Sequence, residues 1–238
     1  MRFSTIPISV LLVKVLTLSY IVTKGKAAIE EDSIEKIYFG GRWWQDGNAM
    51  RHSWGLGTFI VKFQGSSSLV IKMGAALAGA YYTCTVDNSG PEQTKIVTNT
   101  FDKANDTGMI FTGLSPLTEH TIWCGRNNEA SYGDSVFVGV ELEASGQLLQ
   151  AVDPNANNNM IRFEAIGDSI TAGYKVLVPS SRASDPATLA NQNVFKTYIR
   201  YMADAWGTSD YQVLAKSGVS ILVRYDQHYN MSHEYLFA

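Results

Sequence analysis

The sequence predicts an antiparallel β-sandwich over residues 37–146 and an α/β unit over residues 161–238, joined by a linker at 147–160. Three observations predict it. Short β-rich runs alternate apolar and polar residues at close spacing up to residue 146, and no 3.6-residue period competes before residue 150. Asp153-Pro154-Asn155-Ala156-Asn157-Asn158-Asn159 then suits the interior of neither a strand nor a helix. Beyond it an apolar run, a helical stretch and a second apolar run follow in order.

The chain has 238 residues, 45% hydrophobic and 17% charged, with a net charge of −3. That is a globular composition, and it gives no electrostatic reason to expect a nucleic-acid partner. The start reads as a signal peptide over residues 1–27. Arg2 is basic, Ile6 to Val13 and Val15 to Val22 are apolar, and Gly25-Lys26-Ala27 places small residues for cleavage after Ala27. The rival reading, an uncleaved anchor, is weakened by Lys14 in the apolar run. A secreted, extracellular protein with no membrane contact after cleavage is expected. Its mature form would hold 15 basic and 22 acidic residues. A neutral or acetylated glycan tolerates that surface; a polyanion is repelled.

Residues 28–36 are polar and acidic and read as a frayed mature N-terminus. Phe59, Val61 and Phe63 alternate with polar and apolar neighbours, Gly65-Ser66-Ser67-Ser68 turns the chain, and Leu69, Ile71 and Met73 alternate again. This reads as a hairpin. Tyr82, Cys84 and Val86 share one strand face, as do Ile122 and Cys124. Val136, Val138, Val140 and Leu142 make the cleanest period-2 run. Ile161 to Ile166 is a strand, Gln192 to Trp206 a helix stopped by Gly207, and Tyr211 to Ala215 a second strand.

The two cysteines, Cys84 and Cys124, lie in a chain expected in an oxidising compartment, where a disulfide competes with two buried thiols as the reading. Asn105-Asp106-Thr107 and Asn230-Met231-Ser232 are glycosylation sequons in a eukaryotic host. Trp43, Trp44 and Trp54 read first as packing residues and second as a sugar platform. No metal-ligand cluster and no glycine-rich phosphate loop appears, so no metal and no cofactor is expected.

The chemistry concentrates where the first α/β strand ends, at Gly167-Asp168-Ser169. A rigid strand followed by a sharp turn can expose one hydroxyl as a nucleophile, with backbone N–H groups near the oxygen that becomes charged in acyl transfer. The competing reading is an ordinary strand-to-helix turn capped by Ser169. Asp168 is read as a structural residue bonding turn amides.

The stretch Gly167-Asp168-Ser169-Ile170-Thr171-Ala172-Gly173-Tyr174 after an apolar strand resembles the first block of the GDSL, or SGNH, hydrolases, and is closest to carbohydrate esterase family 2. Gly41-Arg42-Trp43, Ser53-Trp54, Phe63-Gln64-Gly65, Val86-Asp87, Gly113-Leu114 and Glu119-His120-Thr121 resemble, in their order, the N-terminal domain of that family. The resemblance implies a jelly-roll sandwich followed by an α/β SGNH (flavodoxin-like) hydrolase domain, here partial. It implies an acetyl-xylan-esterase-like activity on an acetylated polysaccharide or other small ester. It makes Ser169 the nucleophile and gives the N–H groups of Ser169 and Gly218 to the oxyanion hole.

Two further SGNH blocks, Gly-x-Asn-Asp and Asp-x-x-His, do not occur. The α/β part, 78 residues from 161 to 238, is short for such a domain, so the chain is expected to be an incomplete, weakly active or inactive copy. His52 and His120 lie in the sandwich, where surface or hydrogen-bonded core roles are the commoner ones, and His228 and His233, after the second strand, are outside the family's spacing for a catalytic base. The alternative function is a non-catalytic carbohydrate-binding or surface protein with an inert α/β remnant.

Overall fold

A computed structural model describes residues 28–29, 33–75, 79–87, 92–97, 108–156, 161–208 and 211–220. The expectations for the signal peptide, for Asn105 and Asn230 and for His228 and His233 lie outside the described residues.

Alternating sequence builds two facing sheets. The strands are β1 (Ala28–Ile29), β2 (Tyr38–Gly40), β3 (Trp44–Asp46), β4 (Ala49–His52), β5 (Thr58–Gln64) and β6 (Ser68–Ala75). They continue with β7 (Ala80–Val86), β8 (Gln93–Val97), β9 (Met109–Thr112), β10 (His120–Arg126), β11 (Ser135–Leu142) and β12 (Gln147–Leu149). One sheet runs β3-β4-β11-β6-β9, with β1 on the same edge of β11 as β4; the other runs β12-β5-β10-β7-β8, with β2 beside β5. All these pairs are antiparallel. Phe59, Val61 and Phe63 from one sheet meet Leu69, Ile71 and Phe137 from the other, all six fully buried. Each such side chain contributes about 1.5–3 kcal/mol by leaving water.

The structure corrects several sequence expectations. β5 and β6 do not form a hairpin, because they belong to different sheets. Alternation says that each strand has an apolar face; it does not say whether the two faces share a sheet or oppose one another. The crossing at Gly65 to Ser67 is held by Ser66 Oγ, which donates to Ser68 O at 2.6 Å and accepts from Glu143 N at 3.1 Å. In β11 a register shift between Phe137 and Gly139 turns Val138 outward and puts Phe137 in the core, so Val136, Val138, Val140 and Leu142 do not share one face. Gln147–Leu149, assigned above to the linker, pairs with β5 and extends the sandwich. Ala28–Ile29 pairs with β11 where a frayed end was expected. Trp43 packs on Phe39 and His52, and Trp54 is buried, whereas Trp44 is 39% exposed.

Cys84 and Cys124 stand opposite each other on β7 and β10 and form a disulfide with Cα atoms 4.1 Å apart. Closing this 40-residue separation is worth about 4 kcal/mol in the chain-entropy model.

After the linker, β13 (Phe163–Gly167) and β14 (Tyr211–Ala215) pair in parallel, Phe163 opposite Tyr211 and Gly167 opposite Ala215. Between them lie α1 (Ser169–Ala172) and α2 (Tyr198–Trp206). The helix expected from Gln192 is shorter: Asn193 Oδ1 accepts from Phe195 N at 2.9 Å and caps a separate 3-10 turn over Val194–Lys196, and extended Thr197 precedes α2. Competing side-chain capping explains the break. The apolar faces of this unit, at Ala172, Val194, Phe195, Ile199 and Val213, pack with Leu56 and Trp123 of the sandwich. Gly125 makes the approach possible, since a Cβ there would lie 2.4 Å from Phe195 Cζ.

Candidate active site

The register of β13 and β14 decides where the candidate residues fall. Gly167 pairs with Ala215, so Asp168-Ser169 and Lys216-Ser217-Gly218 leave the sheet side by side at its carboxyl edge. Lys216 N donates to Gly167 O at 3.2 Å and extends the pairing one step. Ligand sites of open α/β sheets form at that edge.

The turn around Ser169 is built locally. A Cβ on Gly167 would stand 2.1 Å from Thr171 Oγ1, so only glycine lets α1 fold back so tightly on the strand. Asp168 is the N-cap, its Oδ1 accepting from Ile170 N at 3.0 Å. Ser169 is therefore the first residue of α1, half-buried rather than the cap. Tyr174 N donates to Ser169 O at 2.9 Å, and Gly173, at φ 76°, ends the helix where a Cβ would collide with the Asn193 carbonyl. Thr171 Oγ1 and Tyr198 OH share a hydrogen bond of 2.9 Å that ties α1 to α2. On the neighbouring strand Gly218 is exposed at φ 81°, a left-handed conformation that favours glycine, with open space where a Cβ would be.

The two described histidines lie elsewhere. His52 is buried between Arg42 O, 3.0 Å from Nδ1, and Trp54 O, which faces Nε2. Burial and then the Arg126 charge push its pKa down to about 3, against the pull of those carbonyls, so the ring is neutral. His120 contacts Asp87 Oδ2 at 2.8 Å through Nδ1 and Ser115 O at 2.9 Å through Nε2. Burial lowers its pKa, but the Asp87 hydrogen bond, the Ser115 carbonyl and the Asp87 charge together outweigh it and leave the pKa raised. Among the described residues no group of three or more His, Cys, Asp or Glu is placed to hold a metal ion.

A cleft of about 390 Å³ opens between the sandwich and the α/β unit, lined by Tyr38, Trp123, Arg162, Arg200 and Tyr211 among others. It lies at the amino-terminal ends of β13 and β14, away from Ser169, so the carboxyl edge and not this cleft is the candidate reaction centre.

Sequence reasoning missed Glu129. It follows β10 in the polar run Asn127-Asn128-Glu129, which reads as a solvated loop, yet it is 3% exposed and its Oε2 accepts the N–H of Ser217. Only its position directly after an alternating strand hinted at a structural role.

A β-sandwich docked on a parallel strand–turn–helix unit with a serine at the turn is a polysaccharide-esterase-like fold. Solved structures share it. A family two carbohydrate esterase from Clostridium thermocellum, in complex with cellohexaose, is 24% identical over 84% of this chain and 57% of its own, with a TM-score of 0.65. A carbohydrate esterase family 2 enzyme from Corynascus thermopiles is 22% identical over 84% and 56%, with a TM-score of 0.61. An acetyl xylan esterase from the rumen bacterium Butyrivibrio proteoclasticus is 16% identical over 87% and 52%, with a TM-score of 0.62. At these identities the likeness is one of fold, and the chain spans a little over half the length of these proteins. No curated protein sequence matches the chain significantly. Residues 39–151 match the family described as carbohydrate esterase 2 N-terminal, so this stretch is a domain of carbohydrate esterase family 2 type.

Proposed function

We propose that the chain is the nucleophile-bearing part of a secreted serine ester hydrolase that removes acetyl groups from O-acetylated polysaccharide. The observation that carries the reading is Ser169, the first helical residue of a turn at the carboxyl edge of a parallel strand pair, beside the Ser217-Gly218 turn. The family of residues 39–151 and neighbours that bind cellohexaose or are acetyl xylan esterases support the substrate class.

In this reading Ser169 Oγ attacks the acetyl carbon, and the N–H groups of Ser169 and Gly218 hold the oxyanion. Collapse breaks the ester bond and expels the sugar oxygen, which takes the serine proton through a base. Water then attacks the acyl-serine and releases acetate. Neither His52 nor His120 is that base, because both are engaged within the sandwich. The Gly-x-Asn-Asp and Asp-x-x-His blocks that supply the base and a further oxyanion donor in the resembled family do not occur in this sequence.

A second reading, a non-catalytic carbohydrate-binding protein, draws on the same engaged histidines. A neighbouring carbohydrate esterase is described as having divergent catalytic and non-catalytic binding functions. Turnover of 4-nitrophenyl acetate separates the two. The 238-residue chain is expected to show little or none, and a version extended through Gly-x-Asn-Asp and Asp-x-x-His blocks to be active. Ser169→Ala should abolish that activity; turnover that survives the substitution refutes the assignment. The secretory part of the reading expects a mature chain beginning at Ala28, which N-terminal sequencing of secreted protein reads directly. A retained Met1 would overturn it.

A further inference from the structure

We infer that Glu129, from the sandwich, is a positioning residue for the Ser217-Gly218 turn of the α/β unit. The inference rests on the esterase reading above and names a further residue of that site.

Glu129 has no freedom of its own. Asn127 N donates to Tyr81 O at 2.8 Å and Asn127 Oδ1 accepts from Thr83 Oγ1 at 2.9 Å; Asn128 Oδ1 accepts from Tyr81 N at 2.6 Å. These contacts fix the segment to β7. Glu129 N donates to Gln192 Oε1 at 3.0 Å, and Glu129 O accepts from Arg126 Nη2 at 3.2 Å. With its backbone held from both sides and its side chain buried, the carboxyl reaches out of the sandwich to the N–H of Ser217.

Ser217 immediately precedes Gly218. The turn is anchored on one side by Lys216 N on Gly167 O and closed by Val219 N on Lys216 O at 3.4 Å. Between those bonds stands an exposed glycine at φ 81°, with open space where a Cβ would be. Glycine has the widest backbone freedom of any residue. The Ser217 N–H belongs to the peptide plane just before the one that carries the Gly218 N–H, so holding it fixes the point from which the chain turns into Gly218. An oxyanion donor works only when it is already aimed at the developing charge. The sandwich thereby takes part in the reaction centre.

The test is amide exchange and acetate titration by NMR on the 238-residue chain, its Glu129→Ala and Glu129→Gln variants, acetate being the product of the proposed reaction. In Glu129→Ala, exchange at Ser217 and Gly218 should rise at least tenfold while Val213 and Ile122 keep their rates. Acetate should shift the Ser169 and Gly218 amides of the parent chain, bind several-fold more weakly to Glu129→Ala, and recover in Glu129→Gln, whose side-chain oxygen still accepts. Unchanged exchange and acetate affinity in Glu129→Ala overturns the inference, as does a Glu129→Gln variant that behaves like Glu129→Ala. If Glu129→Ala does not fold, the parent chain decides: the Ser217 amide must exchange as slowly as a strand amide such as that of Val213, and exchange as fast as an exposed turn amide overturns the inference. Tightly held Ser217 and Gly218 amides with no acetate response in the parent chain would instead count against the esterase reading.

Discussion

His52 and His120 give the sandwich opposite responses to pH. His52 has a folded pKa of about 3 against 6.5 when unfolded. Between those values the unfolded chain binds a proton that the folded chain does not, so stability falls as pH falls. At pH 4.5 the two-unit gap to 6.5 is worth about 3 kcal/mol. Urea unfolding at pH 7 and pH 4.5 should therefore show a smaller acid loss in His52→Gln than in the parent chain. Equal losses would remove the assignment. His120 has a raised pKa, so its contribution is fully present below pH 6.5 and disappears as pH rises through the folded value. His120→Gln should cost more at pH 5.5 than at pH 8.5, by the same measurement.

Among the elements, the contact of β10 with the turn before α2 depends on one missing side chain. A methyl group on Gly125 would meet Phe195 Cζ at 2.4 Å and Trp123 Cη2 at 3.0 Å, and Phe195, 8% exposed, is packed into the shared core. Gly125→Ala should cost about 1–3 kcal/mol, the usual range for overpacking. Phe195→Leu should recover part of that loss when combined with it, because the ring's far carbon is gone. Thermal unfolding of the two single variants and the double variant measures the coupling; strictly additive losses would show that the ring is not the obstacle.

For the molecule as a whole, the α/β unit leans on the sandwich. Two parallel strands are marginal alone, and parallel sheets are ordinarily covered on both faces. Here Leu56 and Trp123 complete one apolar cluster, while Ile166 on β13 is 50% exposed. Val194 N on Asn127 O at 3.1 Å, Asn128 Nδ2 on Leu189 O at 2.9 Å and Arg42 with Glu164 at 3.3 Å tie the two parts together. Residues 161–238 expressed alone should therefore show no cooperative unfolding transition by circular dichroism. A sigmoidal transition would show that the unit is self-sufficient.

Much of this was legible in the residues. Alternation at Phe59, Val61 and Phe63 and at Leu69, Ile71 and Met73 identified strands and their inward faces, because a strand's side-chain period is a local property. The linker read at 147–160 began too early, because Gln147–Leu149 joins the sandwich, whereas Gly-Asp-Ser after an apolar strand located the turn that carries Ser169. What the tertiary structure decided was non-local. It put β5 and β6 in opposite sheets, inserted the bulge that buries Phe137 in place of Val138, and brought Glu129 to Ser217 across 88 positions of sequence. Periodicity says which side of an element is apolar; which element it meets is decided by packing the whole chain at once.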